Sequence, residues 1–598
     1  MSNDHLPKWL QVAYEVLWKA FEDREFRFQD AVKVLVEERQ IAPNQVNVVL
    51  AELRKYGRLN VKQDPEDRRK RIYRLVSPKE QIQQTLFSEV LPAKKNSLSR
   101  AELETLLKRA ADLIRTRVDY TYILVLLFYK RICDKWQMEF QQAYQEAVRE
   151  GFTVSEAKRE AYQAAYHDFD IPEEFRWENL RKDLAHLPEN LSRAFKAIAE
   201  RNPDLRVIFE NVDFLQFTQS YENAEILRQL FELFSTYSFE KVSPDVLGDA
   251  YEWILRYFAP QKAKEGEVYT PREVIRLMVE MLDPQPGESV YDPACGSGGM
   301  LILAYKHVEE RQGRDEADKL FLYGQEANLR TLALARMNLY IHDIRNANLQ
   351  HGDTLLYPKF KEGPRVKQFD VVLTNPPWNQ DGYDENTVKR GEFVRERFPF
   401  GFTTKQSADW LWIQHLLASA KPETGRIAVV IDNGALFRSG REKAIRKGVL
   451  EADWLEAVLL LPEKLFYNTG APGAILVFRK TKPEERKGKV LFINASQEFE
   501  PHPTVRKLNR LGDAHIQKIA GVYHEFREEE GFSRVVSIEE IRDENDYNLN
   551  VTLYVYPKEE EEQIDIPAEW HAIQKVNREL TEVEEKIAGY LKELGYEE

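Results

Sequence analysis

The chain has 598 residues, 43% of them hydrophobic and 31% charged, with a formal net charge of −14. At roughly 150 residues per domain this suggests about four packed domains and excludes a disordered chain. The acidic balance confines any nucleic-acid surface to a local patch, and two cysteines, Cys133 and Cys295, exclude a disulfide scaffold and a thiolate-rich zinc site. No metal centre is expected. Met1 to Leu10 lacks the basic-then-apolar layout of a signal peptide, and the longest apolar run, Tyr120 to Tyr129, is about half a membrane span. A soluble, cytoplasmic protein with no membrane partner is the expectation.

Residues 1–80 read as a unit of their own. Trp9 to Phe21 and Phe28 to Glu38 have helical periodicity, and a third helix follows Pro43, with Val46, Val49, Leu50 and Leu53 on one face. Two strand-like runs follow, Arg58 to Gln63 and Arg71 to Val76, joined by a turn at Asp64-Pro65-Glu66-Asp67. Three helices and a basic hairpin resemble a winged helix-turn-helix. The segment has 16 Lys/Arg against 13 Asp/Glu. Arg68, Arg69, Lys70, Arg71 and Arg74 concentrate charge on the wing, where phosphate contacts are made; docking to protein is the alternative.

Residues 81–96 are polar and read as a linker. Ser99-Arg100-Ala101-Glu102 is a capping box opening a strong helix, and helical patterns continue to about Tyr237, an α-helical domain over 97–240. Over 241–480 short apolar strands alternate with helices, the pattern of a doubly wound, mostly parallel α/β sheet of Rossmann-like type. Residues 481–565 read as a mixed α/β extension ending in the acidic run Glu559 to Glu562. A C-terminal helix occupies 566–598. Its residues Ile573, Val576, Leu580, Val583, Ile587, Tyr590 and Leu591 recur at three- and four-residue spacing. With little local core to bury against, that stripe is expected to dock on another chain.

Three motifs carry chemistry. The first is Asp292-Pro293-Ala294-Cys295-Gly296-Ser297-Gly298-Gly299, a glycine loop between a strand and a helix, where the backbone can approach a ligand. Leu301 stands where a dinucleotide fingerprint needs glycine, so a pyrophosphate is disfavoured. Asp292 inside the loop suits a cationic ligand, and S-adenosylmethionine, with its ammonium and sulfonium, fits. The second is a pair of acids at successive strand tips: Glu326, placed for the ribose hydroxyls, and Asp353, placed for an adenine amino group. The third is Asn375-Pro376-Pro377-Trp378 after the buried-strand pattern Phe369 to Thr374. An exocyclic amine has its lone pair delocalised into the ring. The Asn375 side-chain oxygen and Pro376 carbonyl can accept its two N–H bonds and localise that pair, while Trp378 offers a stacking face.

These motifs, in this order, resemble the gamma-order amino-methyltransferases, and Tyr269-Thr270-Pro271 resembles their first cofactor motif. Arg115 to Tyr120 and Phe128 to Arg131 resemble the N-terminal domain of the modification subunit of type I restriction systems. Leu461 to Gly470 and Asp546 to Asn550 resemble that family's later signatures. The resemblance covers about residues 97–598; the segment before it departs from the usual family plan. It implies an S-adenosylmethionine-dependent, adenine-N6-specific DNA methyltransferase acting on a flipped base in double-stranded DNA. Asn375, Pro376, Pro377 and Trp378 would be catalytic. Tyr269, Thr270, Pro271, Asp292, Ala294, Gly296, Ser297, Gly298, Glu326 and Asp353 would hold the donor. Implied partners are a DNA-specificity subunit, a second copy of this chain and a restriction/translocase subunit.

The sequence holds no GxxxxGK[ST] loop, no clear nuclease cluster and no repeated DNA-reading module. Other readings are a methyltransferase of protein glutamine or RNA, a self-sufficient DNA methyltransferase, and a donor-sensing DNA-binding regulator without turnover. The segment 379–407 has little element pattern, and its four phenylalanines suggest a lid over the flipped base.

Overall fold

A computed structural model describes residues 7–22, 24–39, 41–56, 58–63, 71–76, 100–114, 119–210, 212–240, 242–264, 269–467, 469–503, 505–556, 566–594 and 596. At the N-terminus, helices Lys8–Phe21, Phe28–Arg39 and Pro43–Lys55 stand with strands β1 (Phe26–Arg27), β2 (Leu59–Gln63) and β3 (Arg71–Leu75), which pair antiparallel in the order β1-β3-β2. β1 is too short to show alternation, so only the other two strands were legible. Leu10, Leu17, Leu35, Val49, Leu53 and Leu75 close a core of their own. Tyr14 Oη donates to the Val76 carbonyl at 2.7 Å, tying the first helix to the end of the hairpin. Arg71 is exposed on β3 and Arg74 half-buried. Arg68, Arg69 and Lys70, the turn before them and the linker 81–96 lie outside the described residues.

The next region is helical, built on Arg100–Ile114, the 29-residue Thr121–Arg149, Leu187–Arg201 and Tyr221–Ser235. The apolar run at 120–129 is the centre of this core, with Ile123 to Tyr129 all buried. A buried Lys130–Asp134 ion pair sits at its edge, where Asp134 also accepts the Phe239 backbone N–H at 2.8 Å. Helix Pro244–Lys264 belongs to this core as well, through Leu247, Tyr251 and Ile254, although its sequence position assigns it to the following region. Helical periodicity shows that a face is buried but not what covers it.

The central sheet has nine strands: β4 (Ser289–Asp292), β5 (Phe321–Glu326), β6 (Asn348–His351), β7 (Val371–Thr374), β8 (Arg426–Asp432), β9 (Leu455–Leu460), β10 (Gly473–Arg479), β11 (Lys489–Asn494) and β12 (Ser533–Ser537). Their order is β12-β11-β9-β10-β8-β7-β4-β5-β6. Strands β8-β7-β4-β5-β6 run parallel, while β10 is antiparallel to both neighbours and β12 to β11. Parallel strands buried on both faces need continuous apolar runs, and β7 and β9 are buried at every position. Alternate residues feed two cores. Leu373, Val430 and Ile475 face helices Arg272–Leu282 and Gly299–Gln312, while Val372, Val429 and Leu476 face Asp409–Ala418 and Arg441–Glu451. The segment after 480, expected as a mixed α/β extension, supplies β11 and β12 to this same sheet.

The helical region lies against helix Leu329–Ile341, whose Leu334, Met337 and Ile341 join its core. At the rim, Lys135 pairs with Asp168 at 2.5 Å and with Asp343 at 3.3 Å, and Arg345 bridges Asp168 and Asp343. The C-terminal helix Ile566–Glu593 has 28 residues, about 42 Å long. Its apolar stripe is bare: Ile573, Val576, Leu580, Val583 and Ile587 are each about half exposed. Among the described residues no helix is long and apolar enough to cross a membrane.

Candidate active site

The sheet order reverses at the β4–β7 neighbour pair: from β4 the chain builds β5 and β6 on one side and β7 on the other. Open α/β sheets bind ligands at the carboxyl ends of strands at such a point. Asp292 ends β4 and Asn375 follows β7. Thr374 Oγ1 donates to Asp292 Oδ1 at 2.6 Å across the two strands, and the Ala294 N–H donates to the same oxygen at 3.0 Å. Asp292 is buried, and burial pushes its carboxyl up to about 7, with the nearby Glu326 charge adding to the rise.

The loop after Asp292 turns through Gly296 and Gly298, with φ of 51° and 84°. A side chain at Gly298 would be strained and would meet the Ala335 backbone at 3.6 Å. Glu326, at the tip of β5, clamps the loop by accepting from Gly296 N at 3.0 Å and from Asn328 N at 2.8 Å. Asp353, beyond β6, accepts from Leu356 N at 3.1 Å and from Tyr383 Oη at 2.8 Å.

Asn375 is held at both ends of its amide. Its Nδ2 donates to Thr270 Oγ1 at 2.8 Å, and its Oδ1 accepts from Trp378 Nε1 at 2.8 Å. Indole nitrogen can only donate, so the orientation of the amide is settled. The Trp378 ring packs edge-on to Phe466, with centroids 4.7 Å apart. Thr270 and Tyr269 precede helix Arg272–Leu282, for which Pro271 is the N-cap residue.

Two cavities meet here. The larger, about 230 Å³, is lined by Tyr269, Ala294, Glu326, Asp353, Asn375 and Pro377, with Gly296 and Ser297. The smaller, about 50 Å³, lies beside Thr270, Asp292, Ser297 and Asn375. Tyr269, Ala294, Gly296, Ser297 and Asn375 wall both. The structure thus gathers the sequence motifs at one sheet edge. Of the basic residues predicted for the N-terminal hairpin, Arg71 and Arg74 are described, on a strand that packs in a core of its own.

Several lining residues escaped the sequence reading. Tyr383, Gln380 and Trp412 line the larger cavity and Glu252 the smaller. Tyr383 and Gln380 belong to segment 379–407, which forms short helices Glu385–Val388 and Val394–Arg397. That segment packs through Val388 and Phe398 on Leu355, Leu411 and Trp412. Arg397, at the end of the second of these helices, is buried and donates to the carbonyls of Thr354 and Leu355 at 2.8 and 2.9 Å.

Comparison with known proteins decides the family. Residues 242–563 match the N-6 DNA Methylase model and residues 103–234 the HsdM N-terminal domain model. The chain is 42% identical over 596 residues to the type I restriction enzyme MjaVII methylase subunit of Methanocaldococcus jannaschii, covering 98% of this chain and 97% of that one. The chain belongs to the N-6 DNA methylases, as a type I methylase subunit. The MjaVIII methylase subunit of the same organism is also 42% identical, over 610 residues and 98% of each chain. A crystal structure of the type I methyltransferase subunit of Streptococcus thermophilus superposes with a TM-score of 0.65 at 29% identity, covering 77% of this chain and all of that one. The near-full-length match means that a segment ahead of the helical region is shared with the M. jannaschii methylases. With the family come S-adenosylmethionine-dependent methylation of adenine N6 in DNA and the donor itself.

The site fits that donor. A loop with two left-handed glycines lets a ligand come close to the backbone, and carboxylates stand at three successive strand tips. A buried carboxyl whose charge is disfavoured, Asp292, is the partner that a cationic ligand needs.

Proposed function

We infer that Asn375, Pro376, Pro377 and Trp378 present a flipped-out adenine to a donor lying across the tips of β4, β5 and β6. The observation that carries this reading is the place of Asn375: it walls both cavities and is one hydrogen bond from Thr270. When bound, S-adenosylmethionine supplies an electrophilic methyl group on a sulfonium. Glu326 and Asp353 accept hydrogen bonds from the hydroxyl and amino groups at the nucleoside end. Asp292, ionised against the positive charge, holds the other end, and Tyr269, Thr270, Pro271, Ala294, Gly296, Ser297 and Gly298 shape the walls. An amide oxygen has two lone pairs. Trp378 takes one at Asn375 Oδ1, which orients the other towards the adenine N6–H, and the Pro376 carbonyl accepts the second N–H. Together they draw the lone pair out of the ring. Extruding the base costs a few kcal/mol of unstacking. The test is single-turnover methylation of plasmid DNA with labelled donor: Asn375→Ala should bind donor and transfer nothing.

The N-terminal unit is a winged helix whose hairpin, with Arg68, Arg69, Lys70, Arg71 and Arg74, lies along DNA phosphates. Three helices and the β1-β3-β2 sheet support that assignment. The bare stripe of helix Ile566–Glu593 docks on the DNA-specificity subunit of the assembly, beside a second copy of this chain and a restriction/translocase subunit. What supports docking is that the stripe repeats at helical spacing and finds no cover within the described residues.

A further inference from the structure

Glu252 is the unexplained group near the site. It lies on helix Pro244–Lys264, which the helical region contributes, yet it lines the smaller cavity with Thr270, Asp292, Ser297 and Asn375. Glu252 is more than nine-tenths buried. Its Oε2 is 3.2 Å from Arg272 Nε and the Asn338 side chain lies beside the carboxyl, but its Oε1 makes no well-formed hydrogen bond. His342 Nε2 stands 4.0 Å away, beyond hydrogen-bond reach. A buried carboxylate oxygen without a donor is costly unless a partner arrives.

The charges around it are unbalanced. Two guanidiniums, Arg272 and Arg256, act on Glu252, but three carboxylates stand against them: Asp249, 3.1 Å from Arg272, Glu252 itself, and Asp292 on the cavity wall. The small chamber therefore favours a cation. The geometry also orders the ligand. Glu326, Asp353 and Tyr383 line only the larger cavity, so the nucleoside lies there and the amino-acid end of the donor enters the smaller one.

We propose that Glu252 accepts a hydrogen bond from the α-ammonium of the donor's methionine portion, making the helical region part of the donor site. This rests on the donor-site reading above.

The test compares two ligands by calorimetry on the full chain: S-adenosylhomocysteine, which carries the ammonium, and its des-amino analogue, which carries hydrogen there. Wild type should bind S-adenosylhomocysteine about 10- to 100-fold more tightly, the worth of a charge-assisted hydrogen bond. Glu252→Gln should lose most of that preference while binding the analogue as wild type does. Equal weakening of both ligands would show that Glu252 only braces Arg272, and overturn the proposal. Wild type binding both ligands alike would overturn it without any variant. Wild type binding neither would sink the donor site itself, and this proposal with it.

Discussion

Trp378 Nε1 donates to Asn375 Oδ1 at 2.8 Å, so the tetrapeptide's last residue aims the amide of its first. This relationship separates two functions of the tryptophan ring. Trp378→Phe keeps an aromatic ring against Phe466 but removes the N–H. The variant should fold normally and lose about tenfold in single-turnover rate, near the 1–1.5 kcal/mol of one hydrogen bond. A rate equal to wild type would mean that the bond has no part in positioning. Asn375→Ala should show no transfer at all with donor affinity retained.

Asp292 gives a pH dependence with a defined sign. Its folded-state carboxyl is raised to about 7 against an ordinary value near 4. In the donor-free protein this carboxyl favours the folded state below pH 4, and that contribution is lost as pH rises through 7. A cationic donor reverses the penalty by stabilising the ionised form. The rise in melting temperature on adding donor should therefore be larger at pH 7.5 than at pH 5.5, and Asp292→Asn should flatten the difference.

Tyr383 should matter for donor affinity more than for chemistry. Its hydroxyl donates to Asp353 Oδ2 at 2.8 Å, fixing the carboxylate expected at the adenine amino group. Tyr383→Phe should weaken donor binding about fivefold, near 1 kcal/mol, and leave the rate at saturating donor within a factor of two. A large fall in rate at saturation would instead place Tyr383 at the target base.

The N-terminal hairpin is tested by salt. Neutralising Arg68, Arg69 and Arg71 should weaken DNA binding alike across sequences. The slope of log affinity against log salt should fall by about 0.9 for each phosphate no longer neutralised. An unchanged slope would favour docking to protein.

Removing residues 566–598 should leave donor affinity and thermal stability as they are, because the apolar stripe covers nothing among the described residues. Co-purification with the specificity subunit should fail, and site-specific methylation with it. A stoichiometric complex of the shortened chain would disprove the docking role.

The site was legible where chemistry follows a strand in sequence. Asp292 and Asn375 each stand at the end of a short apolar run, and such runs can be read without knowing their neighbours. Glu252 was not legible because its place depends on a fold-wide juxtaposition: a helix of the helical core reaches Arg272, twenty residues on, beside the glycine loop. Tyr383 lies in a segment without periodicity, where only contact with Asp353 gives it meaning. The tail of the sheet was hidden for a similar reason. Strands β11 and β12 pair with each other across 38 intervening residues, and a linear pattern does not say which sheet a strand joins.

The bare stripe on helix Ile566–Glu593 also makes dosage a physical matter. With the specificity subunit as the proposed cover, copies made in excess of it would meet one another through the same ribbon, at a rate that rises with the square of the uncovered concentration. On the docking proposed above, balanced synthesis of this chain and a specificity subunit would govern how much methylase stays dispersed, quite apart from how well each molecule catalyses.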